Sequence, residues 1–181
     1  MKKYYIAALL TFYALVLYSQ NTEWASKALN YSSQLDKFIC SANQLLGKPN
    51  VLPLGGESPF AWSCGLDRNG EELKGEASVT VGFKTPLKVR QIAIGESYNP
   101  GSIKKIILIS VQNKQYTVYS SIPVDTVINP RLFNLFIPLT GYEVKALKLV
   151  TEPSAVKGIN QIDAIGISSS EDNIQIYPHR L

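Results

Sequence analysis

Residues 76–83 read Glu-Ala-Ser-Val-Thr-Val-Gly-Phe, and the fold is read outward from this stretch. Ala77, Val79, Val81 and Phe83 fall on one side of an extended chain, with Ser78, Thr80 and Gly82 on the other. Alternation at period two marks a strand with one buried face. Further apolar runs follow at 103–111, 115–120, 132–137, 143–151 and 162–168, and 25–32 reads as an opening strand. Residues 88–96 carry Val89, Ile92 and Ile94 with a phase slip that predicts a bulge. Ile174 and Ile176 allow a short final strand. Turn residues punctuate the runs at Pro86, Asn99-Pro100-Gly101, Asn113-Lys114, Asn129-Pro130, Thr140-Gly141 and Pro153. Short strands split by such turns predict an all-β antiparallel sandwich or barrel. No long helical pattern lies between them, which excludes parallel α/β. One short N-terminal helix is expected at 36–46, with Phe38, Ile39, Ala42, Leu45 and Leu46 on one face, a Ser33/Asp36 cap and Gly47 as its stop.

A chain of 181 residues, 45% hydrophobic and 18% charged, suits one globular domain and excludes a disordered one. Residues 1–19 have a Lys2-Lys3 start, an apolar run over Ile6–Leu17 and a small residue at Ser19. That layout is a cleavable signal peptide, too short to span a bilayer. The expectation is an exported protein, periplasmic or secreted to the cell surface, with no membrane span after cleavage and a single domain over 20–181 ending in a short tail. Without Lys2 and Lys3 there are 16 basic against 14 acidic residues. The basic residues Lys84, Lys88, Arg90, Lys104 and Lys105 are too sparse for a nucleic-acid face. In an oxidising compartment Cys40 and Cys64 are expected to form a disulfide, stabilising by about 3 kcal/mol.

Four segments in order carry a family likeness: Tyr31-Ser32-Ser33-Gln34; Ala42 to Asn50 (ANQLLGKPN) with Leu54-Gly55-Gly56 and Ala61-Trp62; Val81 to Ile94 with Glu96-Ser97-Tyr98-Asn99-Pro100-Gly101-Ser102-Ile103; and Gly158-Ile159-Asn160-Gln161-Ile162-Asp163-Ala164-Ile165-Gly166. Over residues 25–168 this order resembles a discoidin-like, galactose-binding-like jelly-roll domain of Bacteroidetes cell-envelope proteins, as found beside OmpA-type domains. The resemblance implies an antiparallel jelly-roll sandwich and a non-enzymatic role. It implies contact with a glycan or an envelope protein through loops at one end, or alternatively service as a structural subunit of an envelope assembly. The polar stretch from Cys64 to Gly75 is longer than that pattern requires.

The candidate ligand-binding residues are Trp62, Glu96, Tyr98, Asn99, Asn160, Gln161 and Asp163. Trp62 offers a ring to stack on a sugar, or a cap for the sandwich. Glu96, Tyr98 and Asn99 lead into a turn and either bond a ligand or hold that turn. Asn160, Gln161 and Asp163 lie among core isoleucines and must find partners. The 99–101 turn and the segment near Tyr31 are the simplest. No cofactor is expected; calcium at Asp163 is the one alternative. Catalytic patterns fail. The sole histidine is His179 in the tail, so no Ser-His-Asp triad forms. Ser102-Ile103-Lys104-Lys105 lacks the companion motifs of a serine β-lactamase. A Glu96/Asp163 glycosidase pair has nothing that sets its spacing. Asn30-Tyr31-Ser32 matches an N-glycosylation sequon, and Asp125-Thr126-Val127 resembles a short O-glycosylation pattern.

Overall fold

The computed structural model describes residues 22–66 and 74–176. The expected leader and His179 lie outside these residues. The strands are β1 (Thr22–Tyr31), β2 (Ala77–Lys88), β3 (Gln91–Tyr98), β4 (Ile103–Ser110), β5 (Gln115–Ser120), β6 (Arg131–Phe136), β7 (Glu143–Thr151) and β8 (Gln161–Ser168). Every pairing is antiparallel, in the order β5-β4-β7-β2-β1-β8-β3-β6. The order folds over at β1. Its residues 25–31 pair with β2, and residues 22–24 pair with β8. One layer is therefore β5-β4-β7-β2 and the other is β8-β3-β6. Val79, Val81, Ile106, Leu108, Leu147 and Leu149 of the first meet Ile92, Ile94, Ile165 and Ile167 of the second in one buried core. Far from β1, the edge strands meet where the Tyr119 and Phe133 rings pack edge to face, 5.4 Å apart.

The alternation of 77–83 is realised, with Ala77, Val79, Val81 and Phe83 all buried. The slip in 88–96 is not a bulge. β2 runs on to Lys88, and the chain then crosses at Val89-Arg90 to the other layer. Val89 N donates to Thr140 Oγ1 and Arg90 N to the Ser168 carbonyl, which fixes the crossing. The expected helix at 36–46 is reduced to a single 3-10 turn, Ala42–Leu45. Asp36 captures the Phe38 and Ile39 amides in a tight side-chain turn, and Cys40 sits at φ +49°, which breaks helical continuity. Phe38 and Ile39 face solvent instead of a core. Residues 174–176 form no strand, although Ile174 is buried.

The topology sorts the connections by end. One end holds the long β1–β2 connection, the 99–102 turn, the 121–130 loop and the 152–160 loop. All seven candidate ligand-binding residues lie at that end. No helix among the described residues is long and apolar enough to cross a membrane.

Candidate functional site

The loop end is built around a strap, residues 50–62, that crosses the ends of β6, β3 and β8 in turn. Gly55 presses on Pro130 just before β6; a Cβ there would stand 2.2 Å from the proline ring. Its φ of +71° also favours glycine. Gly56 N donates to the Ser97 carbonyl of β3 at 2.8 Å. The Ser58 backbone is held at both its N–H and its carbonyl by the Gln161 side-chain amide of β8, at 2.8 and 2.9 Å. Trp62 and Ile162 exchange backbone hydrogen bonds of 2.7 and 2.9 Å.

Asp163 anchors the start of the strap. Its carboxylate is buried and accepts the amides of Asn50, Val51 and Leu52 at 3.1, 3.1 and 2.9 Å. Burial pushes this carboxyl above the usual carboxylate range, and the three amides pull it part of the way back. Both oxygens serve the strap, Oδ1 taking the Asn50 amide and Oδ2 those of Val51 and Leu52.

The other nominated residues play similar parts. Glu96 is fully buried; Oε1 accepts the Gly101 amide and Oε2 the Arg131 Nε, each at 2.7 Å. Asn99, at φ +42°, donates to the Ile159 carbonyl at 2.8 Å, joining the 99–102 turn to the 152–160 loop. Asn160 Oδ1 accepts the Ser102 hydroxyl at 3.1 Å and its Nδ2 reaches the Pro153 carbonyl at 3.5 Å. Trp62 is 1% exposed, inside the core, and its indole N–H donates to the Ser33 carbonyl at 3.3 Å. It caps the sandwich and offers no face to a sugar. Of the seven, Tyr98 at the end of β3 and Asn99 just after it keep partial exposure. Every oxygen of the Glu96 and Asp163 carboxylates thus accepts at least one hydrogen bond from the protein.

No disulfide joins Cys40 and Cys64, although both are buried. The Cys40 thiol instead faces the Ser58 carbonyl at 3.6 Å and the Gln161 amide at 3.5 Å. Burial raises its pKa, so it is a poor nucleophile. Three of the five basic residues singled out in the sequence are paired with acids. Lys104 pairs with Glu152 at 2.6 Å and Glu76 at 3.3 Å, Lys105 with Glu76 at 3.2 Å, and Arg90 with Glu171. Among the described residues, no cluster of three histidine, cysteine or acidic side chains is arranged to hold a metal.

What solvent meets at the loop end is a different set. Phe38 is 70% and Phe60 59% exposed, and their segments lie side by side through the Cys40 amide on the Pro59 carbonyl at 2.8 Å. Leu54, Ile122 and Ile128 are also exposed on these loops. The sequence carried one signal for Phe60: it lies two residues before Trp62, in the same Gly-Pro-rich approach. Phe38 was hidden by its fit to a helical face.

Solved structures share the fold at low identity. The CBM32-5 module of CpGH89 from Clostridium perfringens, in complex with GalNAc-β-1,3-galactose, is 13% identical over 79% of this chain and 94% of that one, with a TM-score of 0.57. The family 32 module of NanJ from C. perfringens, in complex with galactose, is 15% identical over 81% and 98%, with a TM-score of 0.55. Allantoicase from Saccharomyces cerevisiae is 14% identical over 77% of this chain and 39% of that one, with a TM-score of 0.54. No curated protein matches the chain. At such identities these likenesses establish the antiparallel jelly-roll fold and nothing finer. The family model of the pappalysin-1 SD scarf domain, C-terminal, matches residues 19–177, and the chain belongs to that family.

Proposed function

We propose that the chain is a non-enzymatic, exported module that binds glycan at its loop end. The observation that carries this reading is the pair of exposed rings, Phe38 and Phe60, on segments whose backbones are fixed to each other. A flat apolar ring stacks on the C–H face of a sugar, and a ring carried on a fixed backbone loses less freedom in doing so than one on a free loop. Arg131, Glu57 and Tyr98 supply polar groups at the same end. The sugar complexes of similar folds support the choice of ligand class. Export is supported by the leader-like residues 1–19. Both nominated carboxylates serve as anchors, which supports a role without catalysis.

A second reading, a structural subunit of an envelope assembly, is favoured by the apolar tips Leu54, Ile122 and Ile128 at the same end. A glycan array probed with the protein and with Phe60→Ala separates the two. The glycan reading expects array binding, reduced about tenfold or more in Phe60→Ala with an unchanged circular dichroism spectrum. Absence of any array binding, together with capture of an envelope protein that Leu54→Ser abolishes, favours the assembly.

A further inference from the structure

We propose that Arg131 is a preset fork for a carboxylate, so that the glycan held at the loop end carries an acidic sugar. This inference rests on the glycan reading above and names the ligand class of that site. Arg131 opens β6, directly after the Pro130 on which the strap rests. Its guanidinium is fixed on two sides. Nε donates to Glu96 Oε2 at 2.7 Å, and the guanidinium carbon lies 5.2 Å from the centre of the Phe133 ring. Glu96 is itself immobile: it is fully buried, and its other oxygen holds the Gly101 amide at 2.7 Å. The Arg131 side chain nevertheless stays 37% exposed. Among the described residues its Nη1 and Nη2 have no hydrogen-bond partner.

An arginine held at Nε and along one face presents its far edge, two parallel N–H donors in one plane. That edge matches the two coplanar oxygens of a carboxylate. Glu96 spends its charge on the buried side, against Nε and an amide, and leaves the outer edge open. A surface lysine would bring charge without this geometry, because its ammonium is a rotating point donor.

The test is an array of galacturonate, mannuronate and sialic-acid oligosaccharides printed beside their carboxyl-reduced counterparts, probed with the whole protein and with Arg131→Lys and Arg131→Gln. Arg131→Lys keeps a positive charge beside Glu96, so folding is retained if Arg131→Gln loses it; near-ultraviolet circular dichroism checks both. The proposal expects binding to at least one acidic glycan and about tenfold or more weaker binding to its reduced form. It expects the same loss in folded Arg131→Lys. Equal binding of acid and reduced forms, or an unchanged affinity in folded Arg131→Lys, overturns the fork and leaves the glycan reading standing. Absence of binding to every printed sugar, acidic and neutral, overturns both.

Discussion

Trp62→Ala is expected to cost about 3–5 kcal/mol of folding stability, the usual penalty for emptying a fully buried tryptophan site. In a domain of this size that lowers the melting temperature by about 6–20 °C. The argument is geometric. Trp62 is buried in the core cluster, its backbone is laddered to Ile162, and its indole N–H is already given to Ser33. Removing the ring opens a void between the strap and the layer ends and leaves the Ser33 carbonyl short of a donor. Phe60→Ala, two residues away and exposed, is expected to change stability by about 0.5 kcal/mol or less. Thermal melts of the two variants measure the contrast. A Trp62→Ala protein as stable as the parent returns the tryptophan to the role of a sugar platform.

Asp163→Ala is expected to cost about 3 kcal/mol. Three backbone amides lose a charged acceptor, at about 1–3 kcal/mol for each that is left buried without a partner. Two effects reduce the sum. Asn50 is exposed and Val51 half-buried, so water reaches their amides, and the variant escapes the desolvation that already raises the Asp163 carboxyl. The loss is expected to be local in its first effect, because the strap is held further along by Gln161 and by Ser97. Chemical denaturation gives the stability. Limited proteolysis between residues 50 and 60 shows whether the strap opens first. A variant within about 0.5 kcal/mol of the parent contradicts the anchoring role.

Much of the layer structure was legible in the sequence because period-two alternation is a local property. The runs 115–120 and 143–151 coincide with β5 and β7, 103–111 and 162–168 differ from β4 and β8 by one residue at one end, and 132–137 is offset from β6 by one residue. The Asn99-Pro100-Gly101 turn was legible for the same reason, and its Asn99 and Gly101 both take positive φ. The loop end was legible only in part. Buried polar residues in 96–99 and 160–163 announce that something must satisfy them, and Glu96 does take a turn amide as anticipated. Which backbone Asp163 or Gln161 would satisfy was not legible. Their partners lie more than a hundred residues away, on a strap with no periodicity of its own. The helix expected at 36–46 failed because the left-handed Cys40 and the Asp36 turn override a short amphipathic pattern. The family-like segments thus mark how the loops are held. The exposed rings of Phe38 and Phe60 sit on the held loops.

Amide hydrogen exchange along residues 48–62 tests this account most directly. The account predicts slowed exchange at Asn50, Val51, Leu52, Gly56, Ser58 and Trp62, with the Asn50–Leu52 protection lost in Asp163→Ala. Exchange at all six as fast as at the exposed 125–129 loop would contradict it.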